Sequence, residues 1–233
     1  MRLDKLLSEC GIASRKESAK AAKAGQILVN GSPVTKADVQ VDPTNDAITF
    51  GGRAVKWRQF VYVMLNKPDG YVSATEDSRG EQVVTSLLPE EYQKMGLFPC
   101  GRLDKHTLGL MLLTNDGQLS HRLLSPKRHV AKTYAFRVKF PLSEKDISEL
   151  QSGVDIGGYF TKPCTVTLTD EREGHITLTE GKYHQIKLMM EAVHNQITYL
   201  ERITFGPLSL DSTLERGEWR ELTEAEIAAL NQS

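Results

Sequence analysis

An unbroken apolar run, Leu108-Gly109-Leu110-Met111-Leu112-Leu113, constrains this chain more than any other stretch. It is closed on one side by Gly101-Arg102-Leu103-Asp104 and on the other by the turn Asn115-Asp116-Gly117. Too short to cross a membrane and bounded by turn signals, the run predicts a buried strand. Asp104 then sits in a polar turn leading into a rigid core element. A carboxylate held there is well placed as a nucleophile or general base, because the strand fixes its position. Aspartates in turns also bond their own backbone, and the local pattern leaves both roles open.

The 233-residue chain has room for a small domain beside a larger one, and its 39% hydrophobic content suffices for packed cores. No window is apolar over the length of a membrane span, and the opening MRLDKLLSEC lacks the profile of a secretion signal, so a cytoplasmic protein without membrane association is expected. Cys10, Cys100 and Cys164 are odd in number and widely spaced, which suggests neither a disulfide framework nor a zinc site. The histidines His106, His121, His129, His184 and His194 form no pair with ligand spacing backed by acids, so no metal is expected.

A net charge of -1 conceals a gradient. Residues 1–60 carry ten Lys/Arg against six Asp/Glu, residues 61–142 eleven against eight, and residues 143–233 eight against sixteen. Such asymmetry is compatible with a basic binding face on the first two thirds and an acidic, solvated back.

Near the N-terminus, Leu3, Leu6 and Leu7 share a helical face, and Gly11 follows as a terminator. Ser14 with Glu17 makes a capping box that opens a second helix closed by Gly25. Arg15, Lys16, Lys20 and Lys23 decorate that helix, which suits phosphate contacts. A hairpin about Asn30-Gly31, alternation at Val39 and Val41 and a strand at residues 47–50 complete a small sheet. Gly51 to Arg58 reads as a linker between mobile domains.

Beyond it, a strand at residues 60–65, a turn through Pro68-Asp69-Gly70 and a strand start at Tyr71-Val72-Ser73 are expected. After the central run comes a short helix over residues 118–125, ending before Pro126. Lys127, Arg128, His129, Lys132, Arg137 and Lys139 then form the densest basic tract of this half, with Tyr134 in its middle. A helix over residues 143–151, strands near 166–168, 176–178 and 196–202, a helix from Tyr183, and a capped C-terminal helix after Thr223 complete the pattern.

The stretch GRLDKHTLGLMLLTNDG resembles the central motif of the pseudouridine synthases, in their RsuA/RluB/RluE/RluF branch. LNKPDGYVS resembles that family's first motif, Lys132-Thr133-Tyr134 its KTY motif, and EGKYHQIKLMM its third motif. Residues 2–7, 14–19 and 25–31 are similar to the S4 RNA-binding domain. The resemblance implies an α+β chain, with an S4-like RNA-binding domain and linker at 1–58. A larger catalytic domain with a mixed, mainly antiparallel sheet would follow at 59–233.

It further implies Asp104 as nucleophile, Lys187 as its ion-pair partner, and Tyr134 packed against the target base and involved in proton transfer. Lys67 would support the active-site turn without acting in catalysis. Arg102 is expected at the extruded nucleotide, on its phosphate or in the space it vacates. Arg15, Lys16, Lys20, Lys127, Arg128 and Lys132 are expected RNA contacts. Branch members usually carry a second basic residue after the position of Lys187, where this chain has Leu188.

The implied reaction breaks the N1–C1′ bond of uridine, turns the uracil and rejoins it through C5. No redox step, group donor or metal is required, so no cofactor is expected. The implied partner is 16S ribosomal RNA or the assembling small subunit, the uridine 516 class of site, modified by a monomer. A synthase for 23S RNA or an S4-type protein that binds RNA without catalysis are the alternatives. An aspartate-based hydrolase would need a second acid or a metal cluster near Asp104, and neither is visible.

Overall fold

The computed structural model describes residues 1–125 and 127–232. They divide into two compact units, Met1–Val61 with Thr85–Phe98, and Tyr62–Val84 with Pro99–Ser233. Residues 85–98 thus return to the first unit.

In the first unit, α1 (Leu3–Glu9) and α2 (Arg15–Lys23) precede β1 (Ile27–Val29), β2 (Ser32–Pro33), β3 (Ile48–Phe50) and β4 (Arg53–Ala54). The strands pair antiparallel in the order β2-β1-β3-β4. Ser14 accepts from the Glu17 N–H and Glu17 from the Ser14 N–H, the reciprocal bonds of a capping box. Leu3, Leu6 and Leu7 are fully buried against Ala21, Ala22, Ile27 and Ile48.

Two expectations fail here. Val39 and Val41 lie outside any strand, although an isolated bridge joins Arg2 to Gln40. Gly51 to Arg58 is no free linker: Gly51-Gly52 turns β3 into β4, and Val55 and Trp57 pack on the unit's core. Residues 85–98 contribute α3 (Glu90–Lys94), which local sequence did not signal. Its Glu91 carbonyl lies where a Cβ on Gly11 would be, 2.1 Å away, so the close approach requires glycine.

The second unit holds a mixed sheet. Its strands are β5 (Tyr62–Lys67), β7 (Leu108–Thr114), β8 (Lys132–Val138), β9 (Thr165–Asp170), β10 (Glu173–Leu178), β11 (Ile197–Phe205), β12 (Leu208–Ser209) and β13 (Trp219–Glu221). The chain enters its main part through β6 (Phe98–Pro99). The path runs β13-β5-β7-β11-β8-β10-β9, with β12 beside β11, and every pair on it is antiparallel except β7 with β11. The fold is therefore α+β with a mainly antiparallel sheet.

Leu110 through Leu113 are each fully buried, because β7 is central and covered on both faces. Truncating one of these leucines to alanine would cost roughly 2–5 kcal/mol. Helices α4 (Gly117–Leu124) and α7 (Glu224–Gln232) contribute to one apolar cluster, α5 (Glu144–Ser152) and α6 (Gln185–Ala192) to another. Asp116 caps α4 through the Leu119 N–H and accepts from Tyr62. Pro126, the expected stop for α4, lies outside the described residues. Tyr71-Val72-Ser73 forms only a single bridge, Val72 to Val83, and not a strand.

Candidate active site

Asp104 lies between β6 and β7, and the segment 66–73 builds its turn. Lys67 ends β5 with no solvent exposure, and its ammonium donates to the carbonyls of Pro68, Lys105 and Thr107 at 3.1, 3.0 and 2.9 Å. The Gly70 N–H donates to the same Lys105 carbonyl. Ser73 Oγ accepts from the Leu103 N–H at 2.9 Å and donates to the Leu103 carbonyl at 2.7 Å. Residues on both sides of Asp104 are thus held by bonds from one segment some 30 to 40 positions earlier. Burial pushes the Lys67 ammonium down to about 8, against the pull of Asp69 and Asp104.

The turn opens into a cavity of about 790 Å³, within the second unit. Helix α6 brings Lys187 to it, and Lys187 Nζ sits 2.9 Å from Asp104 Oδ2. Each side chain is 27% exposed, so the pair is partly shielded from water without being sealed off. His184, at the N-cap of α6 with φ 51°, places Nε2 at 3.6 Å from Asp104 Oδ1. Tyr134 reaches the cavity from β8, two strands from β7.

Arg102 and Lys132 also line the cavity, Arg102 exposed and Lys132 half-buried. Burial lowers the Lys132 pKa, with Arg202 adding repulsion. Arg202 is only 1% exposed, yet its Nε donates to the Leu110 carbonyl at 2.7 Å and its guanidinium lies 5.1 Å from the Phe205 ring centroid. It ties β11 to β7 at the cavity floor. Beside it the Arg202 carbonyl lies 2.3 Å from where a Cβ on Gly109 would stand, so only glycine permits this strand approach.

Asp104, Tyr134, Lys187, Arg102 and Lys132 therefore meet at one cavity. Lys127 and Arg128 are exposed beyond α4 and do not line it, and Arg15, Lys16 and Lys20 are exposed on α2 of the other unit. Sequence reading weighed His184 only as a metal ligand and passed over Arg202. For His184 a signal existed, since it lies three positions before Lys187 within the same motif. An arginine inside the apolar segment ITYLERITF was the signal for Arg202.

An acid paired with a lysine, with a tyrosine lining the same cavity, invites comparison with known proteins. The family described as RNA pseudouridylate synthase matches residues 61–192, which span the Asp104 turn, Tyr134 and Lys187. This chain belongs to the RNA pseudouridine synthases. Its residues 1–48 match the S4 domain. It is 51% identical, over 100% of its length and 99% of the relative's, to an uncharacterized RNA pseudouridine synthase of Bacillus subtilis (strain 168). It is 38% identical to ribosomal small subunit pseudouridine synthase A of Yersinia pestis, with 99% and 98% of the two chains covered. A crystal structure of a pseudouridylate synthase superposes with a TM-score of 0.69 at 36% identity, covering 99% of both chains. The enzyme is thus an isomerase acting on RNA. Among its described residues no helix is long and apolar enough to cross a membrane.

Proposed function

We propose that this synthase converts one uridine of 16S ribosomal RNA, of the uridine 516 class, to pseudouridine, with Asp104 as nucleophile. The observation that carries the chemistry is the 2.9 Å pair of Lys187 with Asp104 inside the cavity. The RNA target rests on near full-length similarity to enzymes named ribosomal small subunit pseudouridine synthase A.

The target nucleotide is extruded from its stack, because its N1, C1′ and C5 are otherwise out of reach. Asp104 either attacks C1′ or assists removal of a sugar proton, and in both routes the N1–C1′ bond breaks. The freed uracil turns in place and C5 bonds C1′, which breaks the Asp104–C1′ bond of the first route or is followed by return of the sugar proton in the second, while the C5 proton is removed with help from Tyr134 and N1 gains one. Atoms are conserved throughout, as an isomerisation requires. Lys187 orients the carboxylate, and Lys67 and Ser73 hold its turn so that little reorganisation is needed at reaction. Arg102 contacts the phosphate of the extruded nucleotide or fills its place in the stack.

Residues 1–58 serve as the RNA-binding part and residues 59–233 as the catalytic part. Arg15, Lys16, Lys20, Lys127, Arg128 and Lys132 engage backbone phosphates, which position RNA without reading its sequence. The partner is 16S RNA or the assembling small subunit in the cytoplasm, and the enzyme acts as a monomer.

The test is to incubate the enzyme with small-subunit RNA, large-subunit RNA and small-subunit assembly particles, and to map pseudouridine by chemical modification and primer extension. A single new site in small-subunit RNA or its particles is expected. A site confined to large-subunit RNA would replace the assigned target.

A further inference from the structure

Among the described residues Tyr183 is the most exposed large hydrophobic side chain, at 72%, yet its ring is not loose. It stacks on the His184 imidazole with centroids 3.9 Å apart and planes 18° from parallel. His184 is held by a left-handed backbone that a non-glycine residue adopts at a cost of about 1 kcal/mol, and it faces Asp104 on the inner side. The stack therefore runs from the nucleophile outward, ending in an aromatic surface at the cavity mouth. The chemistry described above makes no use of Tyr183.

The surroundings of this surface are cationic. Glu180 accepts from Tyr159 Oη at 2.7 Å, from the Lys162 N–H at 3.0 Å and from Gln185 Nε2 at 2.7 Å. Neutral donors thus bond the carboxylate, whose charge also interacts with Lys162, while among the described residues neither the Lys162 nor the Lys182 ammonium lies within ion-pair distance of a carboxylate. Lys182 Nζ instead sits 4.2 Å from the Tyr159 ring centroid, and Lys162 Nζ lies 3.5 Å from His129 Nδ1. An exposed aromatic face beside lysines that no carboxylate holds in a close ion pair is the combination that binds single-stranded nucleic acid.

Extruding a nucleotide leaves each neighbouring base with one face uncovered. We propose that Tyr183, backed by His184, is the stacking surface for the base flanking the extruded uridine, with Lys182 and Lys162 meeting the adjoining phosphates. This subsite rests on the reading of the cavity as the seat of an extruded RNA uridine.

The probe is a single-stranded RNA oligonucleotide centred on the mapped site, made with a normal base or an abasic nucleotide at either flanking position. Binding is measured in the Asp104→Asn background, where turnover does not intervene. Adding Tyr183→Ala is expected to weaken binding of the normal RNA roughly five- to a hundredfold, and Tyr183→Trp to restore most of it. With RNA abasic at the contacted flank, Tyr183→Ala should cause no further loss. A change under about twofold on normal RNA, or an equal loss on RNA abasic at either flank, would overturn the subsite. Wild-type enzyme that forms no pseudouridine in any RNA would overturn the proposed function itself, whereas active wild type with an indifferent Tyr183 overturns the subsite alone.

Discussion

On α2 the charges of Arg15, Lys16, Lys20 and Lys23 are all exposed and come from a single helix. Asp104, Lys187 and Arg202 at the cavity and Lys67 behind its turn come from four separate segments, and each is held by a dedicated partner within 3 Å or so. Exposed charges on one helix act additively and are weakened by salt, because solvent screens each of them. Shielded charges assembled from distant segments depend on one another, and removing one leaves its partner unsatisfied. The first arrangement suits gripping a polyanion, the second suits holding one reactive carboxylate still.

The sharpest way to break this contrast is to remove the cation beside Asp104. Lys187→Ala is expected to reduce turnover roughly 10²- to 10³-fold, by loss of one preorganised charge contact, while Lys187→Arg retains a larger share. Single-turnover kinetics on small-subunit RNA would measure both, and near-wild-type turnover in Lys187→Ala would show that the pair is only structural.

Lys67→Met comes next. Three turn carbonyls lose the Lys67 ammonium, the Lys105 carbonyl keeping the Gly70 N–H, so stability should fall by roughly 2–4 kcal/mol in urea titrations, and turnover with it. The pH dependence carries a separate signature. In the folded protein Lys67 titrates at about 8, against an ordinary 10.5, so between those values the unfolded chain binds the extra proton. Wild-type stability should therefore gain a rising component from pH 8 to 10.5 that Lys67→Met lacks. Parallel pH profiles for the two proteins would remove Lys67 as its source.

The smallest effect is expected on α2. Replacing Arg15, Lys16 and Lys20 together by alanine should weaken RNA binding roughly tenfold at moderate salt and lower the slope of log Kd against log salt by about 2. An unchanged slope would mean that this face does not meet phosphate.

How legible each region was in the sequence follows from the same contrast. The capping box at Ser14 and the basic face of α2 depend on neighbours within four positions, so local spacing reveals them. The buried strand β7 was legible because its apolar run is continuous. The site needed more. Asp104 and Lys187 lie 83 positions apart, and only the resemblance of their two motifs joined them before the structure did. Arg202 bonds a carbonyl 92 positions away, which no local pattern announces. The misread linker has a similar cause. Gly51-Gly52 looks like a hinge by composition, but its neighbours Val55 and Trp57 find core partners from α1 and β1, and the glycines become a tight turn. The short strand β13 was missed because Trp219–Glu221 shows no alternation, and its pairing with β5 defines it instead.

The most direct test of the account compares wild type with Asp104→Asn on small-subunit RNA and its assembly particles, reading both RNA affinity and pseudouridine formed. The account predicts that Asp104→Asn binds RNA within a few-fold of wild type and forms no detectable pseudouridine, a loss of roughly 10⁴-fold or more. Modification by Asp104→Asn at a rate near that of wild type would contradict it, and would move the nucleophile elsewhere.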